Sequence, residues 1–432
     1  MRRLAEVSAF NQETETYGKS PCRSRKKMEA TLSLAYQYID SNEGLETMAD
    51  RLTAEPTVAV DLEADSMYHF REKVCLIQMA SASESFVIDP LRITDFSPLK
   101  PLLARPDIQK VFHGADYDIR SLYRDFGMEI HNLLDTELAS RFLGITETGL
   151  EAVLMNRFHV RLDKKYQKKD WSQRPLPLEM LEYAAHDVLY LVPLAHRLEQ
   201  ELAQKNRLSW VAEECELLSR VRPANNDGAP LFMKFKGAGR MDSRSLAVLE
   251  NLLQFRKQIA EKKDRPVFKV LGNKTLQAIA VSKPNTPKQL EKVDGLSGTQ
   301  LGMYGKTIIE LIHEALALPE TDLPHYPRQP IESLPAALPR RLKALKEWRD
   351  KKAEALNIDP SIICNKALMY AITTINPINE SALATVEGIK EWQKEAFGKD
   401  IIQCLKTLRG KKKKQPTGHE NSVQPGLLPK AP

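Results

Sequence analysis

The 432-residue sequence is poor in cysteine and has no long apolar segment. Its five cysteines are scattered and form no CxxC pair, which argues against a zinc site or a disulfide framework and favours a reducing compartment. No apolar run approaches the roughly 20 residues that a membrane-spanning helix needs. The N-terminal stretch MRRLAEVSAFNQETETYGKS lacks the apolar core of a secretory signal. These absences predict a cytoplasmic protein that does not enter a membrane.

The charge of the chain is modest and lies mainly at its two ends. The net charge is +6, with basic runs RSRKK at 23–27 and KKKK at 411–414. Such runs are either solvated tails or segments that seek phosphate groups. We expect residues 1–35 to be a basic, disordered arm and residues 411–432 a basic, disordered tail. Hydrophobic residues make up 42 % of the chain, enough for a substantial core between these ends.

The first half of the chain has the pattern of an α/β domain, which we assign to 36–222. Alternating apolar residues predict strands at 57–65, 73–81, 83–90 and 110–115, followed by a helix at 116–127. Helical patterns predominate from 150 to 219. Three consecutive strands followed later by helices indicate a sheet flanked by helices. Residues 223–235 have the composition of a linker.

The second half reads as all-α and contains an internal repeat. Phe255-Arg256, Asn273-Lys274 and Gly305-Lys306 recur as Trp348-Arg349, Asn365-Lys366 and Gly398-Lys399, at a nearly constant offset. This repeat predicts two small helical domains, 236–318 and 340–410, joined by a proline-rich linker at 319–339. The segment MYGKT at 303–307 resembles the end of a phosphate-binding loop. Gln300 stands where that motif requires glycine, so we predict a turn between helices.

The segment DLEAD carries the first candidate site residues. Asp61 and Glu63 are two positions apart on a predicted strand, so they project from one face, about 6.6 Å apart along the strand. Adjacent carboxylates beside a core repel each other unless cations neutralise them. Mg²⁺ and similar hard cations prefer carboxylate oxygens. The alternative is a solvated strand end; Asp65, where the strand should end, is a secondary candidate.

Two further segments offer carboxylates, and each leaves a choice open. In HGADYDIRSL both Asp116 and Asp118 lie at the start of a predicted helix, where an N-cap or the helix dipole favours an acid. In LEYAAHDVLYL, Tyr183 and Asp187 are four residues apart and share one helical face. The segment YQKKD (166–170) has the same spacing. Position and spacing alone do not decide between these candidates.

Together the segments resemble the DEDD exonucleases of the tyrosine subclass, and within them the ribonuclease D family. Its three motifs match at DLEAD, HGADYDI and YAAHD, and its basic DWxxRPL segment matches at KKDWSQRPLP (168–177). The resemblance implies Asp118 rather than Asp116, and the pair on the helix after the DWxxRPL segment rather than the pair in YQKKD. The helical repeats resemble HRDC domains, which bind nucleic acid. The implied fold is an α/β ribonuclease H-like exonuclease domain, a mixed sheet flanked by helices, followed by two small all-α HRDC-like domains.

The same resemblance implies a function and a site. The expected activity is a 3′→5′ exoribonuclease that trims RNA 3′ ends, with tRNA precursors as substrates, two divalent metal ions (Mg²⁺ or Mn²⁺) as cofactors and nucleoside 5′-monophosphates as products. The expected metal ligands and catalytic residues are Asp61, Glu63, Asp118 and Asp187, and Tyr183 would orient the attacking water. The alternatives are a DNA-directed repair exonuclease and a non-catalytic RNA-binding protein. A monomer is expected.

Three other polar residues near these motifs have structural interpretations. His113 should serve packing at the end of a buried strand or support the site from behind. His186 should be structural or face solvent, because the other DEDD subclass places its histidine at the position of Glu182 here. Asp135 should be an N-cap or a structural contact.

Overall fold

The computed structural model describes residues 36–223, 228–327, 335 and 337–409, and its first part is an α/β unit. The strands are β1 (Gln37–Ile39), β2 (Thr57–Ala64), β3 (Val74–Ala80), β4 (Ser85–Ile88), β5 (Gln109–Phe112) and β6 (Leu133–Asp135). The helices of this part are α1 (Asn42–Thr53), α2 (Leu99–Ala104), α3 (Asp116–Phe126), α4 (Thr136–Leu143), α5 (Leu150–Phe158), α6 (Leu178–Leu189), α7 (Leu191–Gln204) and α8 (Leu208–Ser219).

The six strands form one mixed sheet in the order β1-β4-β3-β2-β5-β6. Strand β3 pairs antiparallel with β2 and with β4, whereas the other pairs are parallel. This confirms the mixed sheet flanked by helices. The four strands and the helix at 116–127 that the pattern predicted are present, with ends shifted by one to three residues. Strands β1 and β6 have three residues each and were too short for the pattern to show.

The packing of two helices on this sheet determines where the candidate residues lie. Helix α6 packs on β2, β3 and β4, and helix α7 packs on β2 and β5. Met180, Ala184, Ala185 and Val188 form the buried side of α6. Because two of these are alanines, α6 can approach the sheet closely. Its polar residues therefore come near the strand that carries Asp61.

The rest of the described chain is helical. The first copy of the repeat contains α9 (Ser243–Lys262), α10 (Val267–Val270), α11 (Asn273–Ser282), α12 (Pro287–Leu290) and α13 (Gly298–Ala317). The second contains α14 (Leu338–Leu356), α15 (Pro360–Ile363), α16 (Lys366–Ile375), α17 (Glu380–Ala384) and α18 (Glu391–Arg409). The order of long and short helices is the same in both copies, which confirms the helical C-terminal part.

Two predictions in this region were wrong in detail. The segment at 303–307 is not a turn, since it lies within α13. The linker predicted at 223–235 is shorter, because Leu231–Lys234 forms a 3₁₀-helix and the buried Phe232 and Phe235 belong to the core of the first helical copy. The proline-rich linker is also partly packed, since Leu323 is buried against the same core.

The two helical copies differ in how their cores are built. The buried residues of the first copy form a cluster of their own, whereas those of the second are continuous with the core of the α/β unit. No helix among the described residues is both long and apolar enough to cross a membrane. The basic ends predicted at 1–35 and 411–432 lie outside the described residues.

Candidate active site

Strand β2 places two carboxylates on one face of the sheet. Asp61 and Glu63 are partly exposed and alternate with buried Val60 and Leu62. The charges of Asp187 and Asp118 act on Glu63, as does that of Asp61. The strand therefore presents its two carboxyl groups to residues from two other segments of the chain.

Helix α3 provides the third carboxylate, and the two candidates at its start have different environments. Asp116 is exposed and its side chain pairs with Arg120 at 2.8 Å. Asp118 has an exposed fraction of 8 % and lies near enough to Asp61 for their charges to interact. Its place in the first turn of α3 adds a favourable interaction with the helix dipole. The structure brings Asp118, and not Asp116, to the face of β2.

Asp135 fixes the position of that helix start. Its carboxylate accepts hydrogen bonds from the backbone N–H of Gly114 at 2.9 Å and of Ala115 at 2.8 Å. It is also the N-cap of α4, accepting from Glu137 N at 2.8 Å and Leu138 N at 3.2 Å. The prediction of an N-cap is therefore confirmed. One buried carboxylate holds two chain segments together beside the candidate site.

Helix α6 provides Tyr183 and Asp187, one turn apart. The phenol of Tyr183 approaches the carboxyl group of Asp187, and the charges of Glu63 and Asp61 also act on it. All five residues of the predicted set are therefore neighbours, although they come from three separate elements. Asp61 is the member whose charge acts on each of the other four.

Burial and mutual repulsion favour the protonated forms of these groups. Burial raises the pKa of Asp61 to about 6. Burial, and then the charge of Asp61, raises the pKa of Asp187 to about 8. For Glu63 and Asp118, burial followed by neighbouring carboxylates raises the pKa well above the ordinary value. Burial and the charge of Asp187 also raise the pKa of the Tyr183 phenol, which keeps its proton.

The chemistry of the donor set fits hard divalent cations. Within the described ranges, no lysine or arginine forms an ion pair with any of the four carboxyl groups. Four neighbouring carboxyl groups without a basic partner are compatible with one another only if cations or protons neutralise them. No group of three or more His, Cys, Asp or Glu side chains in the described part of the chain is arranged as an assembled metal centre. The carboxyl groups are thus neighbours, not a closed ligand cage.

The segment before α6 forms an aromatic wall behind Tyr183. The ring centroid of Tyr166 lies 5.8 Å from that of Tyr183 in an edge-on contact, and that of Trp171 lies 6.0 Å from it. Asp170 turns away and accepts from the backbone N–H and the hydroxyl of Ser172 at 3.1 and 2.6 Å. The near-copy YQKKD therefore supplies a packing ring to the site but no carboxylate.

Arg174 anchors this segment to the sheet. Its Nε and Nη2 donate to Asp89 Oδ2 and Oδ1 at 2.6 and 2.7 Å, and Nη2 also donates to Cys75 O at 2.7 Å. The Tyr38 hydroxyl donates to the same carboxylate at 2.6 Å. Burial alone would raise the pKa of Asp89, but these hydrogen bonds outweigh it and hold the pKa below its usual value.

The remaining candidates have structural contacts. His113 is partly buried, and its Nδ1 lies 2.9 Å from Thr136 Oγ1. His186 is partly exposed, with Nδ1 2.6 Å from Glu182 O. Asp65 follows the end of β2 and accepts from Lys73 N at 2.8 Å, so it closes the turn between β2 and β3. Each of the three thus has a contact within the fold.

Gln78 and the ion pair of Asp89 and Arg174 were not predicted from the sequence. Gln78 is a polar residue in the middle of an otherwise apolar strand, a signal that was present in KVCLIQMAS. The pair joins residues 85 positions apart, and no local pattern shows such a contact.

Comparisons with known proteins agree with the fold. A family model described as 3′-5′ exonuclease matches residues 36–203, and a model of the HRDC domain matches residues 245–312 and again 339–405. The ribonuclease D of Acidiphilium cryptum is 30 % identical over 373 residues, covering 84 % of this chain and 92 % of that protein. The ribonuclease D of Escherichia coli is 30 % identical over 332 residues, covering 77 % and 88 %.

Solved structures lead to the same group. The crystal structure of Escherichia coli RNase D matches with a TM-score of 0.67 and 27 % identity, covering 87 % of this chain and 99 % of that chain. The catalytic core of RRP6 from Trypanosoma brucei matches with a TM-score of 0.56 and 29 % identity, covering 67 % and 82 %. The likeness to Escherichia coli RNase D extends through the helical repeats.

Proposed function

The chain belongs to the ribonuclease D family and is a 3′→5′ exoribonuclease, and from that premise we propose that it hydrolyses phosphodiesters at the surface formed by Asp61, Glu63, Asp118, Tyr183 and Asp187. The observation that carries this proposal is the convergence of four carboxyl groups and one phenol, from three separate elements, around Asp61. Such a set of like charges is unfavourable in a fold unless cations neutralise it.

The carboxyl groups would hold two divalent ions, Mg²⁺ or Mn²⁺. Asp61 would be shared between them, Glu63 and Asp187 would complete the ligands of one, and Asp118 would serve the other. When bound, the ions supply charge that promotes loss of a proton from water and stabilises the leaving 3′-oxygen. Tyr183 keeps its proton because burial and Asp187 raise its pKa, so it can donate a hydrogen bond to the attacking water.

The substrate proposed is RNA with a single-stranded 3′ end, and precursors of tRNA are the class that the family implies. The Escherichia coli relative is an exoribonuclease involved in structured RNA processing. In this chain, Lys168 and Lys169 are exposed in the segment that leads to Trp171 and Tyr183. We propose that they contact backbone phosphates next to the site. We propose a cytoplasmic, monomeric enzyme.

The test is degradation of 3′-labelled single-stranded RNA and DNA of the same sequence with Mg²⁺ or Mn²⁺. RNA should be shortened one nucleotide at a time, and the product should be nucleoside 5′-monophosphate. Asp61→Ala and Asp187→Ala should each abolish this activity while the chain stays folded, and Asp116→Ala should retain it. Faster degradation of DNA would favour the repair exonuclease, and RNA binding without degradation would favour the non-catalytic alternative.

Binding offers a second test of the same proposal. Phosphate contacts release counterions, so the affinity for RNA should fall steeply as the salt concentration rises. In a plot of log affinity against log salt concentration, the slope should be about −0.7 per phosphate contact for a single strand. Replacing Lys168 and Lys169 together by alanine should remove one or two phosphate contacts and so make the slope shallower by about 0.7 to 1.4. RNA affinity that does not change with salt would contradict the placement of RNA on this surface.

A further inference from the structure

Gln78 is a polar side chain that is fully buried, and the contacts of the fold do not explain why a polar residue lies there. It lies in β3, whose seven residues are all buried. Its exposed fraction is 0 %, and among the described residues neither its amide nitrogen nor its amide oxygen has a hydrogen-bond partner. Leaving a buried amide without partners costs free energy, so a native protein that keeps one requires an explanation.

The register of the sheet places this amide beside Asp61. Gln78 is directly opposite Asp61 in the antiparallel pair of β2 and β3. Side chains of directly opposed residues project from the same face, with Cβ atoms about 4.5–5.5 Å apart. The irregularity in this pair falls between Glu63 and Ala64, beyond Asp61. Gln78 therefore projects toward the face on which α6 lies.

The other neighbours of Gln78 on that face offer it little. Its partner on β4 is Val87, and its neighbour two residues along β3 is Leu76, opposite Glu63. Ser85, opposite Ala80, is on the same face but diagonal to Gln78, at about 7–8 Å between Cα atoms. The Ser85 hydroxyl is itself buried without a partner. Among the residues that oppose Gln78 directly, Asp61 is thus the one whose side chain can accept a hydrogen bond, and the carboxyl group of Glu63 is diagonal to Gln78.

We infer that Gln78 is a positioning residue that orients the carboxylate of Asp61 for metal binding. Its amide N–H donates to the carboxyl group of Asp61 in the metal-bound protein, and so fixes the one carboxyl group that both proposed ions share. This inference rests on the proposed function, since it takes Asp61 to be a metal ligand. Groups that orient a metal ligand through its free oxygen commonly change metal affinity 10- to 100-fold when removed.

The chemical nature of glutamine suits this task. A lysine or arginine at position 78 would also donate to Asp61, but its positive charge would compete with the cations. An amide carries two N–H donors and no net charge, so it can orient the carboxylate without neutralising it. An apolar side chain would suit the surrounding strand better and could not hold Asp61. The polar residue is therefore explained by Asp61 and not by the core.

The test replaces the amide by an apolar side chain of similar length. Gln78→Met should be as stable as the parent protein, or more stable, in thermal unfolding with EDTA, because two unpartnered polar atoms are removed. It should bind Mn²⁺ about 10-fold more weakly in calorimetric titration, and kcat on 3′-labelled RNA should fall about 10-fold at an unchanged KM. If this variant fails to fold, Gln78→Leu carries the same expectations. Ser85→Ala is the matched control, because it removes a buried polar atom of the same face that is not opposite Asp61.

Three results would overturn the inference, and they differ in what else they overturn. Parental Mn²⁺ affinity and kcat in a folded Gln78→Met protein would show that the amide is only part of the core, with the proposed function intact. A parent protein that binds no Mn²⁺ would remove the proposed function and this inference together. Equal loss of Mn²⁺ affinity in Ser85→Ala and Gln78→Met would also count against it, because the effect would then follow from disturbance of the face alone.

Discussion

At the scale of single residues, the raised pKa values of Asp61, at about 6, and Asp187, at about 8, mean that the metal-free fold resists these charges. A carboxyl group whose pKa is higher in the folded than in the unfolded protein binds more protons when folded. Its contribution to the stability of the fold is therefore lost as the pH rises from the pKa in the unfolded protein, near 4, through the pKa in the folded protein. Function and stability make opposite demands on these side chains.

The substitution Asp61→Asn tests this conflict directly. In EDTA, the parent protein should lose stability between about pH 4 and pH 8, and Asp61→Asn should lose less. At pH 8 the variant should have the higher unfolding temperature and no activity on RNA. Asp116→Asn is the control, because Arg120 lowers the pKa of that exposed carboxyl group and no like charge opposes it. A variant at Asp61 that is less stable than the parent at pH 8 would contradict the electrostatic account of the site.

A comparison of two tyrosines tests the role of the phenol. Tyr183→Phe should lower kcat about a hundredfold, as expected when one positioned hydrogen-bond donor is removed. Affinity for Mn²⁺ should change little, since the four carboxyl groups remain. Tyr166→Phe keeps the ring that packs on Tyr183 and should have nearly parental kcat. Similar losses in both variants would show that the aromatic packing, and not the Tyr183 hydroxyl, is what matters.

At the scale of elements, the segment that precedes α6 depends on one ion pair. Arg174 holds the buried Asp89, and its Nη1 also donates to the carbonyl oxygen of Trp171 at 2.7 Å, next to the ring that packs on Tyr183. Because Asp89 is inaccessible to solvent, removing its partner leaves a buried charge. The contacts of Arg174 with the sheet thus stabilise both the aromatic wall and α6, the helix that carries Tyr183.

Arg174→Met should therefore reduce stability by about 3–5 kcal/mol, the usual cost of breaking a buried ion pair. Activity should fall with it, because Trp171 loses its connection to the sheet. Arg92→Met is the control, since Arg92 pairs with Asp40 at the surface and such exposed pairs contribute little to stability. Urea unfolding of the two variants measures the difference. Equal losses would show that the buried pair has no special importance.

The limits of the sequence at this scale are visible in particular residues. Alternation along TVAVDLEAD predicted β2 and the shared face of Asp61 and Glu63, because side-chain alternation is a local property. Pairing across strands is not local, so neither the strand order nor the opposition of Asp61 and Gln78 could be predicted. Spacing alone left Tyr166/Asp170 and Tyr183/Asp187 equivalent. Helix α6 and the contacts of Asp170 with Ser172 distinguish them in the structure.

At the scale of the whole molecule, the two helical copies are joined to the α/β unit by different kinds of contact. In the second copy, Trp392 stacks on Trp210 of α8 with ring centroids 4.8 Å apart, and Arg207 donates to Leu356 O at 2.6 Å. The fit is close: at Gly144, with φ +90°, an added Cβ would lie 1.9 Å from Asn357 O. This copy shares one core with the α/β unit.

The first copy is joined next to the candidate site by polar contacts and by Phe70, which packs against its core. Asp264, after α9, accepts from Phe70 N at 3.1 Å and lies 2.7 Å from the ring of His69, whose other nitrogen lies 3.0 Å from Ser172 Oγ. Arg71 pairs with Glu261 at 2.6 Å. Exposed ion pairs add little stability, so the unfolding of this copy should depend mainly on its own core.

Two substitutions of fully buried apolar residues distinguish the unfolding of the shared core from that of the first copy. Trp392→Ala, in the shared core, should lower the unfolding temperature of the transition that also abolishes activity, at a cost of about 3–5 kcal/mol. Leu252→Ala, in the separate core of the first copy, should cost about 2–5 kcal/mol and lower a second transition without moving the first. Differential scanning calorimetry, with activity measured after each transition, resolves the two. A single transition that moves equally in both variants would contradict this prediction. The contact around Asp264 would then couple the first copy to the α/β unit more strongly than exposed ion pairs can explain.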